Sequence, residues 1–268
     1  MELSIFSPCS KQHAINQSDS GSPMSLVCQN VTKRFGGLNA VSGFDGSFAA
    51  GAITGIIGPN GSGKSVLINV MSGYYKPEEG KITFDQKDIT GWNSHSVAKS
   101  GIVRTFQHMR PLMKGTVIEN VALGALFGRD SSSAKTAISE AHRICEEMGL
   151  TGLLSKSSDT LTTYERKKVE IARAVAAKPR VLMLDEVMAG LNPAEVQDFV
   201  KMIKSLRDNR KVTIIVVEHI LSAVMSLCER VIVLFNGKKI AEGLPQEIVQ
   251  DMRVIEVYLG RGLANVTG

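Results

Sequence analysis

Apolar positions along the chain fall into runs of two kinds. Ile53-Thr54-Gly55-Ile56-Ile57, Val181-Leu182-Met183-Leu184 and Val212 to Val217 are short and continuous, which predicts strands buried on both faces of a parallel sheet. Alternation from Leu26 to Thr32 predicts an edge strand, Phe44 to Phe48 predicts another, and Gly36-Gly37 marks the turn between them. Lys81-Ile82-Thr83-Phe84, after Glu79-Gly80, adds a further short strand, so an antiparallel β layer is expected on either side of the first buried strand. Val66 to Met71 opens a helix. From about 117 to 155 the period is helical, with Ile138, Ala141, Ile144, Cys145 and Met148 three and four apart. Pro193 to Leu206 and Leu221 to Cys228 supply helices between buried strands, and Val231 to Leu234 followed by Asn236-Gly237 predicts a final hairpin. Residues 1 to 24 are polar and aperiodic, with Ser18-Asp19-Ser20-Gly21-Ser22-Pro23 just before Met24. They are expected to be a disordered leader, or to precede a true start at Met24.

The 268 residues, 43% hydrophobic, suffice for one full α/β core with an inserted subdomain. A formal charge of +5 would suit an anionic partner, but Arg166-Lys167-Lys168, Arg207 to Lys211 and Lys238-Lys239 are dispersed among acids. A solvated surface is expected, with no nucleic acid as partner. The four cysteines, at 9, 28, 145 and 228, lack paired metal-ligand spacing and are expected to be reduced. No apolar run reaches the roughly 18 residues of a membrane span, and the N-terminus has no basic region followed by an apolar core. A position on the cytosolic side follows.

The chemistry centres on Gly58-Pro59-Asn60-Gly61-Ser62-Gly63-Lys64-Ser65, a glycine, four residues, then Gly-Lys-Ser. Gly61 and Gly63 let backbone amides wrap a phosphate chain, Lys64 supplies a point charge, and Ser65 is placed to hold Mg²⁺. The buried strand before the loop and the helix after it turn the helix N-terminus toward the phosphates. Roughly 120 residues on, the strand ending at Leu184 leads into Asp185 and Glu186, at the strand end where ligands bind in open α/β sheets. Asp185 is expected to orient Mg²⁺, and Glu186 to polarise the water that attacks the γ-phosphate of ATP.

At this point residues 25 to 260 resemble an ATP-binding cassette (ABC) ATPase. The branch for import of branched-chain amino acids and related amides is suggested by Arg104-Thr105-Phe106-Gln107, Ala189-Gly190-Leu191-Asn192-Pro193, Val217-Glu218-His219 and Ile255-Glu256-Val257-Tyr258-Leu259-Gly260. The resemblance implies an α/β P-loop fold with a parallel core sheet, an antiparallel β layer and a helical subdomain inserted at about 108–165, with 261–268 as a tail. It implies that Phe35 stacks on adenine, against the plainer reading of a core phenylalanine. It implies that Gln107 senses Mg²⁺ and the γ-phosphate, that Asn192 lies in the loop communicating across a dimer, and that His219 contacts the γ-phosphate rather than serving only as a structural histidine.

Departures from the family pattern carry information too. Where Leu-Ser-Gly-Gly-Gln is usual, this chain reads Leu161-Thr162-Thr163-Tyr164-Glu165, followed by a helix through Ala174. In the family this segment presents amides and a hydroxyl to the γ-phosphate held by the opposite subunit. Tyr164 in place of the second glycine is expected to lose close approach and left-handed angles, at a cost of about 3 kcal/mol for one preorganised donor. Val66 replaces a second Ser or Thr, at about 1 kcal/mol, and Val187 replaces the common proline. The expected function is the ATP-hydrolysing subunit of an importer, on the cytoplasmic face of the cell membrane. Its expected partners are a permease, a second and different cassette, and indirectly an extracytoplasmic binding protein. The alternatives are a soluble ABC regulator without a permease, a cassette that binds ATP with little hydrolysis, and an ordinary P-loop kinase, which leaves Gln107, the Glu165 to Ala174 helix and His219 unexplained.

Overall fold

The computed structural model describes residues 24–105, 115–130 and 133–263, the side chains of residue 24 and of residues 259–263 excepted. Most of the leader, the tail beyond 263 and Gln107 lie outside the described residues. The first two strands, β1 (Met24–Phe35) and β2 (Leu38–Ala49), form a hairpin across Gly36-Gly37, and β1 also pairs with β4 (Glu79–Phe84), which in turn carries the short β5 (Lys87–Asp88). The antiparallel sheet therefore runs β2-β1-β4-β5. Strand β1 is interior to it, not the expected edge, because Leu26, Cys28 and Val31 are buried while its backbone is paired on both sides.

The second sheet has the order β10-β9-β3-β8-β7-β6. Strands β3 (Ile53–Ile57), β6 (Ile102–Arg104), β7 (Val181–Asp185), β8 (Thr213–Val217) and β9 (Arg230–Phe235) are parallel, and β10 (Lys238–Gly243) closes the edge as an antiparallel hairpin. The turn at Asn236-Gly237 has positive φ at both residues, 46° and 75°, the geometry that suits a right-twisted two-residue hairpin. Every residue of β3, β7 and β8 is buried, and alternate residues feed different cores. Met183, Ile215, Val217 and Ile232 pack with the antiparallel sheet and with α1 (Lys64–Met71). Leu182, Leu184, Ile214 and Val216 pack with helices on the opposite face.

Those helices are α3 (Val117–Phe127), α4 (Ala134–Glu147), α5 (Thr163–Ala176), α6 (Pro193–Arg210) and α7 (Leu221–Leu227); α2 (Ser94–Ser100) precedes β6, and α8 (Pro245–Ile248) and α9 (Met252–Leu263) follow β10. Helix starts are set chemically: Thr116, Thr162 and Asn192 each cap a helix in a reciprocal box with Glu119, Glu165 and Glu195. The stripe expected on α4 is buried at Ala141, Ile144, Cys145 and Met148, but Ile138 stays 48% exposed. Ala137 takes the buried position, since adjacent helical residues point about 100° apart. Cys28, Cys145 and Cys228 are buried and unbonded, and burial pushes each thiol up to about 11 or 12.

Candidate functional site

The carboxyl ends of β3, β8 and β7 are level, with Ile56 paired to Val217 and Val217 to Asp185. The Gly58 to Ser65 loop, Asp185, Glu186 and His219 are therefore delivered to one edge of the sheet. The loop closes tightly. Gly58 has φ 150° and Gly63 has φ 101°; a Cβ at Gly58 would lie 2.1 Å from the Leu234 carbonyl oxygen, and one at Gly63 2.3 Å from that of Ala40. Only glycine fits at either position. Gly61 also has positive φ but open space around it, and Asn60 beside it is exposed. Ser62 is buried, and its hydroxyl has no hydrogen-bond partner among the described residues.

Lys64 is folded into its own loop, donating from Nζ to the carbonyl oxygens of Gly58 (2.8 Å) and Pro59 (3.0 Å). Burial lowers its pKa, while Glu186 and Asp185 nearby act to raise it. Asp185 is buried, and its pKa is pushed up to about 6, first by burial and then by Glu186, against the pull of Arg104 and Lys64. Its Oδ1 has no hydrogen-bond partner among the described residues. Ser65 and Asp185 line the same cavity, of about 620 Å³, with Asn69 and Arg104. A buried carboxylate oxygen left without a donor, on a residue that shares its cavity with the Ser65 hydroxyl, fits an oxygen-seeking divalent cation.

Arg104, at the end of β6, is a further residue of the site. It donates to Asn69 Oδ1, sits over the Tyr74 ring at 5.1 Å, and brings a positive charge toward Asp185. Nothing in the local sequence around Arg104 gives this away, since its neighbours in space come from α1 and β7.

Glu186 follows β7 with φ 51°, a left-handed conformation, and its amide donates to the Val217 carbonyl at 2.9 Å. His219 is exposed just past β8. Phe35 ends β1 with 42% of its surface exposed, edge-on to Tyr75 at 5.0 Å and with Lys33 Nζ 5.2 Å from its ring. That exposure removes the core-phenylalanine reading. Val66, lacking a hydroxyl, packs partly against the core around α1, and Val187 is buried in the core on the helical side.

The Leu161 to Glu165 segment lies apart from these residues, at the start of α5. Thr162 Oγ1 accepts from the Glu165 amide (3.2 Å), and the Glu165 carboxylate accepts from the Thr162 amide (2.8 Å). Thr163 and Tyr164 form the first helical turn, and neither has positive φ. Tyr164 is right-handed, in line with the expected loss of a glycine's left-handed angles, and a capped helix begins there. The Tyr164 ring turns onto α6, edge-on to Phe199 at 5.6 Å, with its hydroxyl donating to Asp198. Burial and then Asp198 push that phenol up to about 12, so it stays protonated and able to donate. Glu165 has its pKa lowered, chiefly by the Thr162 amide, so it carries a full negative charge at neutral pH.

A phosphate loop between a buried strand and a helix, with carboxylates at the end of a neighbouring parallel strand, defines a P-loop nucleotide-binding ATPase. Comparison with known proteins narrows the class. The sequence profile of the ABC transporter family matches residues 41–189, and that of the branched-chain amino acid ATP-binding cassette transporter matches residues 238–264. The high-affinity branched-chain amino acid transport ATP-binding protein BraF of Pseudomonas aeruginosa is 36% identical over 248 residues, 88% of this chain and 97% of that protein. The corresponding LivG of Escherichia coli is 35% identical, with 88% of this chain and 97% of that protein covered. Among solved structures, an ABC transporter cassette in its ADP conformation aligns with a TM-score of 0.81 at 34% identity, covering 89% of this chain and all of that one. A nucleotide-free cassette aligns with a TM-score of 0.80 at 33% identity, covering 88% and 99%. The chain belongs to the ABC transporter family, as a nucleotide-binding ATPase subunit of a transporter complex. Among its described residues no helix is long and apolar enough to cross a membrane.

Proposed function

We propose that this chain hydrolyses ATP to drive uptake of branched-chain amino acids or related small polar solutes through a transmembrane permease, bound to it at the cytoplasmic face of the cell membrane. The convergence of Lys64, Asp185, Glu186 and His219 at the aligned ends of β3, β7 and β8 carries the hydrolytic reading. The match over residues 238–264 and the names of the relatives support the class of cargo. Solute selectivity would lie in the permease and in an extracytoplasmic binding protein, and the soluble-regulator alternative has no observation in its favour. Residues 25–260 form one ATPase domain, with a helical subdomain at about 108–165.

In this reading Phe35 stacks on adenine with its exposed face, and the loop Gly58, Pro59, Asn60, Gly61, Ser62 and Gly63 wraps the phosphates, its non-proline residues supplying the amide donors and Pro59, which has no N–H, shaping the turn. On nucleotide entry, Lys64 exchanges its two loop carbonyls for phosphate oxygens. Ser65 and Asp185 hold Mg²⁺, with Gln107 as a further ligand; the ion offsets phosphate charge when bound. Glu186 polarises the attacking water, and His219 hydrogen-bonds the γ-phosphate. Val66 contributes apolar support at the α1 start.

Thr162, Thr163 and Tyr164 face the γ-phosphate of a second cassette. That cassette differs from this one, because here the ionised Glu165 stands where the usual glutamine is neutral and the helix N-terminus must face an anion. The test is ATP hydrolysis by the purified chain alone and mixed with the candidate partner cassette, with Glu186→Gln as control. Activity that appears on mixing and disappears with Glu186→Gln is the expected result. A symmetric dimer as fast as the mixture would overturn the asymmetric pairing, and activity surviving Glu186→Gln would overturn the assigned base.

A further inference from the structure

The loop leaving β7 carries Glu186, and charged side chains with no role in the site above grip its backbone from two sides. Lys167, on α5, donates from Nζ to the carbonyl oxygens of Glu186 (3.3 Å), Val187 (2.9 Å) and Ala189 (2.7 Å). An ammonium has three donors, and here all three end within four consecutive residues. From the other side comes Glu218, fully buried between the last residue of β8 and His219. Its Oε1 accepts from the Met188 amide at 2.8 Å, and its Oε2 has no partner among the described residues.

The two grips interleave: carbonyls at 186, 187 and 189 point to α5, and the amide at 188 points to β8. Glu186 is itself held in a left-handed conformation, which a residue with a side chain keeps only where its surroundings over-determine it. The charges reinforce the arrangement, since Lys167 lies within electrostatic reach of Glu218, Glu170 and Glu186. A half-buried ammonium and a fully buried carboxylate are poor choices for stability alone, because apolar residues of similar volume fill such space at least as well.

We propose that Lys167 and Glu218 are positioning residues for ATP hydrolysis: they fix the 186–189 backbone so that the Glu186 carboxylate stays aimed at the attacking water. The inference rests on the reading of Glu186 as the group that polarises water. It also gives α5 two tasks. Its N-terminus serves the opposite pocket, while Lys167, one turn in, holds the catalytic loop of its own.

The test uses the full chain assembled with its partner cassette. Lys167→Met keeps the aliphatic stem and removes every donor, whereas Lys167→Arg restores charge and donors. Glu218→Leu removes the acceptor for Met188, whereas Glu218→Gln keeps it. Lys167→Met and Glu218→Leu are expected to lower kcat by about tenfold or more, the usual consequence of sub-ångström misplacement, with KM and the ATP Kd changed less than about twofold. Lys167→Arg and Glu218→Gln should recover most of the rate, and amide hydrogen exchange at 186–189 should quicken only in the slow variants. If either drastic variant does not fold, Lys167→Gln with the same exchange readout takes its place and is expected to fall between wild type and the drastic case. Unchanged kcat in a folded Lys167→Met or Lys167→Gln protein overturns the proposal, as does a loss of ATP affinity that accounts for the whole fall. Glu186→Gln separates the two failures: hydrolysis surviving it sinks the role of Glu186, whereas its loss alongside a silent Lys167→Met sinks only the clamp.

Discussion

Replacing Glu165 by glutamine isolates one charge. The capping box survives in outline, because the glutamine carbonyl can accept from the Thr162 amide as the carboxylate does at 2.8 Å, and Thr162 Oγ1 still accepts from residue 165. Lost is a full negative charge in the first turn of α5, held ionised by the Thr162 amide. Its favourable interaction with the helix dipole is worth about 0.5 kcal/mol at a partly exposed site, so the melting temperature should drop by only ~1–2 °C. The kinetic effect has the opposite sign. A unit charge pair ~8 Å apart at an effective dielectric of ~40 repels by about 1 kcal/mol, so the two charges of a γ-phosphate feel about 2 kcal/mol. Glu165→Gln should therefore speed hydrolysis by a dimer of this chain alone by roughly fivefold to thirtyfold. The gain should shrink in high salt, which screens exposed charges. Steady-state phosphate release at low and high salt, with Glu186→Gln as the blank, reads it out. An unchanged or slower rate in a folded Glu165→Gln protein would refute the assignment of Glu165 as the residue that weakens the opposite pocket.

Tyr164→Phe should cost about 0.5–1 kcal/mol for the hydrogen bond to Asp198, and Tyr164→Gly about 2–3 kcal/mol once the Phe199 contact and ring burial go as well. Both should leave turnover per folded molecule within about threefold by a steady-state assay; a rise of tenfold or more in Tyr164→Gly would restore the argument for a glycine there. Gly63→Ala should cost at least ~1–2 kcal/mol from left-handed strain alone, with the 2.3 Å approach to the Ala40 carbonyl added. It should weaken ATP binding by about tenfold or more in titration calorimetry. Asp185 binds its proton more tightly folded than unfolded, since burial and then Glu186 raise its pKa from 3.8 to about 6. The folded state is thus favoured as pH falls from about 6 to about 4, and the burial cost of the ionised carboxylate is fully present above 6. Without divalent cations, Asp185→Asn should raise the melting temperature at pH 7.5 by several degrees, for up to ~3 kcal/mol, and the gain should fade below pH 6; a constant gain across that range would contradict the shift.

The buried strands β3, β7 and β8, the phosphate loop and the acid pair at the end of β7 were legible because each depends on local pattern: continuous apolar runs, glycine spacing, a carboxylate after a buried strand; the three-residue β6 is too short to show such a run. Composition and length bounded the class as well. Three things needed the fold. Strand β1 is interior because β4 returns to its other side, a pairing between segments some fifty residues apart that no local alternation encodes. Tyr164 is harmless to the backbone because Thr162 and Glu165 have already begun a capped helix and α6 supplies a surface for the ring. Arg104, Lys167 and Glu218 matter only through atoms contributed by other elements: Asn69 for the first, the 186–189 backbone for the other two. Periodicity and motif spacing report what a residue does to its own segment. Where a buried charge finds its partner is set by long-range packing, and that is decided only when the sheet and its helices come together.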